Sequence, residues 1–184
     1  MLPYYPSDGM NEKGVAVGMN ALSYSQAPYD ASKVTIGELQ LIRPVLDYAG
    51  STTEAISLIE NYNISMEDPP IHYLIADSSG HSAVMEFINR EMIVMNNTDS
   101  WQVSTNFVIT GLEDYYSAPC WRYRTTYQSL MDNKGICSQI QAITILLNAS
   151  VSSTRWSNIF DLKTGQMQIA MGRDYENFYL FSLR

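Results

Sequence analysis

Apolar residues recur along this chain at two spacings, and the switches between them mark its elements. Val15 to Leu22 is a short apolar run bounded by Gly14 and a loop over 23–34, the pattern of a buried strand. From Ile36 the apolar positions Ile36, Leu39, Ile42, Leu46 and Ala49 fall at helical spacing, with Pro44 predicted to kink or divide the helix and Gly50 to end it. Ser51-Thr52-Thr53-Glu54 reads as a capping box opening a second helix, whose face is Ala55, Ile56, Ile59 and Tyr62.

Beyond Pro69-Pro70 the spacing changes. Ile71 to Ala76 is apolar on both alternating faces, as in a strand covered on each side, and Asp77-Ser78-Ser79-Gly80 is a turn. Ser82 to Ile88, with Ala83, Met85 and Phe87 on one face, and Glu91 to Met95 continue a meander, and Gln102 to Phe107 is a fourth strand candidate. Cys120 to Met131 and Ile136 to Leu147 read as helices, the second displaying Ile136, Ile140, Ile143 and Leu147. Arg155 to Leu162, Gln166 to Met171 and Phe178 to Leu183 close the chain as strands. Antiparallel blocks thus alternate with helix pairs. That order predicts an α+β fold in which two sheets pack face to face, each covered by a helix pair.

Composition narrows the picture. With 184 residues the length fits one domain, 1–184. Hydrophobic residues at 46% against 16% charged exclude intrinsic disorder. A net charge of −8 leaves no basic face for a nucleic acid. The apolar runs are too short to span a membrane, and the N-terminus lacks the basic start and apolar stretch of a secretory signal, so a cytoplasmic protein with no membrane partner is expected. Two cysteines, Cys120 and Cys137, make neither a disulfide framework nor a zinc site, and read as reduced thiols in a packed interior. The sequons at Asn63, Asn96 and Asn148 are short enough to arise by chance.

Local catalytic motifs are absent: there is no phosphate-binding glycine loop, no His-Glu-x-x-His and no Gly-x-Ser-x-Gly. A histidine base needs a nucleophile beside it, so His72 and His81, flanking a strand turn, read as packing or surface residues. Asp77 and Glu86 read as solvated surface carboxylates.

Longer segments carry more. Asp8 to Asn20, with Asn11-Glu12-Lys13-Gly14 leading into Val15-Ala16-Val17-Gly18-Met19-Asn20, resembles a segment of the choloylglycine hydrolases, penicillin V acylases and related linear-amide hydrolases. His72 to Gly80 followed by Val84-Met85-Glu86-Phe87 looks like that family's hairpin. Val103-Ser104-Thr105-Asn106-Phe107 looks like its Thr-Asn strand end, and Ser152 to Ser157 with Phe160-Asp161-Leu162 is similar to its late arginine strand. The four matches come in the family's order and span nearly all of the chain. The resemblance implies the N-terminal nucleophile (Ntn) hydrolase superfamily and its αββα sandwich.

The resemblance also implies roles. Asn20 would donate from its backbone at the strand end, and Asn106 from its side-chain amide, to the oxyanion that amide hydrolysis passes through, and Arg155 would stand near the nucleophile, where a cation favours thiolate over thiol. The substrate would be a small acyl amide, with no metal or organic cofactor, and a homo-oligomer is possible. In this superfamily the nucleophile is the first residue of the mature chain, commonly Cys here, with its own α-amino group as base. Residue 1 of this sequence is Met, so the chain is expected to be the C-terminal part of the enzyme, short of its first strands and inactive alone. The alternative is a non-catalytic remnant that binds an acyl ligand or assembles with a partner chain.

Overall fold

The computed structural model describes residues 5–183, so the expectation attached to Met1 lies outside the described residues. Its centre is an antiparallel sheet ordered β1-β2-β5-β6-β7: β1 (Asp8–Met10), β2 (Val15–Ala21), β5 (Ile71–Asp77), β6 (Ser82–Ile88) and β7 (Glu91–Asn96). Register explains the pattern of the sequence. Tyr73 pairs with Met85 and Ile75 with Ala83, while Val17 pairs with Ile75, so the odd positions share one face. That face packs on α1 (Glu38–Tyr48) and α2 (Thr52–Ile59) in a core of Val15, Val17, Leu41, Ile42, Val45, Ala55, Tyr73, Ile75, Met85 and Phe87.

A second antiparallel sheet, ordered β10-β9-β8, contains β8 (Trp156–Asp161), β9 (Gln166–Met171) and β10 (Phe178–Ser182). The odd positions of β8 and the even positions of β9 face the second helix pair, α3 (Trp121–Asp132) and α4 (Gln139–Ala149): Ser157 Oγ lies 2.9 Å from Tyr175 Oη, which donates in turn to the carbonyl of Leu146, and Gln139 Nε2 donates to Gln168 Oε1 at 2.7 Å. The even positions of β8 face the first sheet, where Trp156 Nε1 donates to Asp8 Oδ2 at 2.9 Å. The layers therefore run helix pair, sheet, sheet, helix pair, as the alternation of blocks predicts.

The Asn11–Gly14 turn has a structural reason for its sequence. Asn11 is buried; its Oδ1 accepts from the backbone N–H of Lys13 and Val15, and its Nδ2 donates to the carbonyls of Leu46 and Ala49, fastening the turn to the end of α1. Gly14 has φ +82°, and a Cβ there would lie 2.2 Å from the carbonyl oxygen of Leu162. Only glycine permits both the left-handed backbone and that approach to the second sheet.

Several expectations are corrected. Pro44 does not divide α1, whose Leu41, Ile42 and Val45 are buried around it. Ile36 and Tyr62 belong to a short parallel pair, β3 (Val34–Gly37) with β4 (Tyr62–Ser65), and not to helices. At α2, Ser51 Oγ accepts from Glu54 N–H, but the Glu54 carboxylate accepts from Gly50 N–H instead of closing a box on Ser51. Gln102 to Phe107 is an irregular segment in which the Thr105 carbonyl lies 2.9 Å from His72 Nε2 and accepts from the N–H of Phe107. The face of α4 is not covered as its periodicity predicts: Ile136 and Ile140 are each 77% exposed. Among the described residues no helix is long and apolar enough to cross a membrane.

Candidate functional site

Strand β2 outruns its neighbour. β1 begins at Asp8, opposite Gly18, so Met19 to Ala21 continue past it with one backbone edge facing no strand among the described residues. Leu22 N–H donates to the carbonyl of Pro70. Hydrogen-bonded pairs alternate along an antiparallel ladder, so Asn20 and His72 form such a pair, and the odd residues Met19 and Ala21 turn their backbone groups to the open edge. The carbonyl of Ala21 accordingly accepts from Asn106 Nδ2 at 3.0 Å.

Asn106 is clamped from two sides. Besides its bond to Ala21, its Oδ1 accepts from Arg122 Nη2 at 2.7 Å. Arg122 lies in the first turn of α3, where a cation opposes the helix dipole. Sequence reading did not single out Arg122, and that misplaced charge is the signal that could have found it.

The segment carrying Asn106 is anchored by a buried pair. His72 and Glu86 are both fully buried; Nδ1 of His72 lies 3.0 Å from Glu86 Oε1 and its Nε2 lies 2.9 Å from the carbonyl oxygen of Thr105. Glu86 also accepts from the backbone N–H of Ile109 and Thr110, at 2.7 and 2.9 Å. Burial pushes its carboxyl up, but the bonds from His72, Ile109 and Thr110 outweigh burial and hold it below the ordinary glutamate value. A second apolar cluster of Val103, Phe107, Ala118 and Tyr123 packs the same segment from outside, with Phe107 edge-on to Tyr123.

Glu86 and Asp77 are thus not solvated surface carboxylates, because each is consumed by backbone donors. Asp77 Oδ2 accepts from Thr52 N–H at 2.7 Å at the start of α2, and its Oδ1 accepts from the N–H and hydroxyl of Ser79. Burial raises its carboxyl, and the bonds from Ser79 and Thr52 bring it below the ordinary value.

Between the sheets, Asn20 lines a cavity of about 330 Å³. Ala16, Gly18, Leu74 and Ala76 make its small-residue floor, and Asp8, Ser104, Asn158 and Phe160 line it as well. Ser104 Oγ donates to Asn20 Oδ1 at 2.6 Å, which leaves Asn20 Nδ2 directed elsewhere. Burial pushes the Asp8 carboxyl up against the opposing bonds from Trp156 and Asn158, and its value stays raised.

The site residues named from sequence divide. Asn20 lines the cavity, its backbone paired with His72, whereas Asn106 is exposed, bonds to the neighbouring Ala21 and is not part of the cavity lining. Arg155 is exposed just ahead of β8, outside the lining of the cavity, and its guanidinium has no hydrogen-bond or ion-pair partner among the described residues. Cys120 and Cys137 are free and half-buried, and neither lies within a helix: Cys120 caps α3 and Cys137 precedes the cap of α4. Burial raises the Cys120 thiol, but the Thr105 hydroxyl, the N–H groups of Tyr123 and Arg122 and the Arg122 charge bring it below the usual thiol value. Among the described residues no three His, Cys, Asp or Glu side chains are grouped to hold a metal ion.

The model of the linear amide C–N hydrolases, choloylglycine hydrolase family, matches residues 1–117. A bile salt hydrolase/transferase of Lactiplantibacillus plantarum is 35% identical over 103 residues, 51% of this chain and 31% of that protein. A penicillin V acylase of Pectobacterium atrosepticum is 27% identical over 112 residues, 54% of this chain and 30% of that protein. The match therefore spans about a third of the length of these curated relatives. In fold, the chain is similar to penicillin V acylase from Agrobacterium tumefaciens, with TM-score 0.73 at 20% identity, covering 98% of this chain and 67% of that one. It is also similar to a variant of the conjugated bile acid hydrolase from Clostridium perfringens, with TM-score 0.71 at 18% identity, covering 100% and 75%.

Proposed function

The chain belongs to the choloylglycine hydrolase family of linear amide C–N hydrolases, and from that premise we propose that its inter-sheet cavity is the acyl-amide site of a non-peptide amide hydrolase. The likeness in fold is to Ntn hydrolases and their αββα sandwich. One observation supports placing the acyl-amide site at this cavity: Asn106 Nδ2 reaches the carbonyl of Ala21, 85 positions away and next in sequence to Asn20, which lines the cavity. The side-chain amide of Asn106 has a second hydrogen beyond the one given to Ala21, and Asn20 Nδ2 is turned away from Ser104. These are donors suited to an oxyanion.

In this reading the nucleophile is an N-terminal cysteine contributed from outside these 184 residues, running along the free edge of Met19 to Ala21. Its thiolate attacks the amide carbonyl, Asn20 and Asn106 hold the oxyanion, and the C–N bond breaks as the amine leaves with a proton. Water then releases the acid from the thioester. Arg155, with no partner among the described residues, is assigned as the cation that favours the thiolate. Bile salts and penicillin V, after which the relatives are named, point to small acyl amides as the substrate class.

The experiment is to place a cysteine-first segment ahead of this chain and follow release of the amine from acyl amides. The reading expects turnover with the segment, none from the 184 residues alone, and loss on replacing that cysteine by alanine. Turnover by the chain alone that survives replacement of both Cys120 and Cys137 would refute it.

A further inference from the structure

Asn158 lies in β8 on the face that looks across at the first sheet. Its amide is oriented by Asp8. A carboxylate only accepts, so Asn158 directs Nδ2 to Asp8 and turns Oδ1 the other way. That Oδ1 is buried and has no hydrogen-bond partner among the described residues. Across the cavity Asn20 is oriented in the opposite sense, its Oδ1 held by Ser104 and its Nδ2 left over. One sheet therefore offers the cavity an amide donor and the other an amide acceptor.

A trans secondary amide needs this arrangement, because its C=O and N–H point to opposite sides of a planar unit. We propose that Asn158 Oδ1 accepts the N–H of a secondary acyl amide bound between the sheets, so that the site selects secondary amides over esters and tertiary amides with the same acyl group. The inference rests on the reading of this cavity as the acyl-amide site and deepens it by naming the group that sets specificity. An ester places a lone pair where the amide carries hydrogen, and a tertiary amide places carbon there. Either leaves Asn158 Oδ1 buried without a donor. Burying an unpaired polar group is what makes a hydrogen-bonding site reject an analogue that lacks the matching group.

The test uses the whole 184-residue chain and three matched probes: N-propylhexanamide, propyl hexanoate and N-methyl-N-propylhexanamide. Dissociation constants come from titrations followed by amide proton–nitrogen spectra. The expected result is binding of the secondary amide at least about tenfold tighter than either analogue. In Asn158→Leu the secondary amide should weaken to the level of the ester, whose own affinity stays within about twofold, and thermal melts check that the variant folds. Equal binding of all three probes by the unaltered chain overturns the role of Asn158 while leaving the cavity an acyl site, and this comparison needs no variant. Selectivity that survives in folded Asn158→Leu also overturns it. If none of the three binds, the acyl-amide reading of the cavity falls, and this inference with it.

Discussion

His72 Nδ1 lies 3.0 Å from Glu86 Oε1, and neither side chain exposes any surface to solvent. Through Thr105, Ile109 and Thr110 this pair ties the segment carrying Asn106 to the central strands β5 and β6. Removing one member of a buried pair leaves the other charged or polar group unpaired, at a cost of about 3–5 kcal/mol. Glu86→Ala should therefore lose stability on that scale in urea denaturation. A loss under about 1 kcal/mol would mean that the segment is held by its apolar cluster alone.

Glu86 and Asp77 both have lowered values in the folded chain. The folded state binds fewer protons than the unfolded state, so these groups stabilise it fully above the ordinary carboxylate range of about 4 to 4.5. That contribution is lost as pH falls through their folded values. Asp8, raised by burial, works in the opposite sense, the fold gaining as pH falls through its raised value. Glu86→Gln and Asp77→Asn should each lower stability at neutral pH and flatten the acid limb seen by circular dichroism. An unchanged limb in both variants would contradict the assignment.

Cys120 caps α3 with its thiol below the usual value. In a Cys137→Ser background, its alkylation by iodoacetamide should persist to lower pH than that of a free cysteine, whose value is about 8.5. Arg122→Gln should move the profile upward by removing a nearby positive charge. A profile unmoved by Arg122→Gln would show that the cation plays no part.

The sequence displays what local periodicity controls. Strands β2, β5, β6, β8 and β9 and the main parts of all four helices follow from spacing, because one buried face repeats along each element. The parallel pair β3 and β4 escapes that reading: its four-residue strands meet only after two helices have folded between them. Gln102 to Phe107 has strand-like alternation, yet Thr105 gives its carbonyl to the His72 ring, a partner that no local pattern announces. Asn20 and Asn106 became visible through resemblance. Arg122 and Asn158 did not, since the importance of each depends on a partner far along the chain, Asn106 for one and Asp8 for the other.

Strand β10 carries Tyr179, Leu180 and Phe181 at 61%, 71% and 51% exposure on the edge of its sheet. Exposed apolar edges invite pairing with other chains. Size-exclusion chromatography should show concentration-dependent association of the chain, reduced in Leu180→Lys. A clean monomer at all concentrations would contradict this.

With a cysteine-first segment in place, Asn106→Ala should lower kcat by about 10² to 10³, the scale of a lost oxyanion donor. Arg122→Ala should cost less, because Asn106 keeps its tie to Ala21. Equal losses in the two variants would assign the catalytic contact to Arg122 instead.

The central claim is that acyl amides bind between the sheets. The most direct measurement is a titration of the isotope-labelled chain with N-propylhexanamide, mapping which backbone amides shift. The account predicts saturable shifts centred on Gly18, Asn20, Ser104 and Asn158. Shifts centred instead on the larger cavity at Gln139, Ile159 and Gln168, with the inter-sheet residues unmoved, would contradict it.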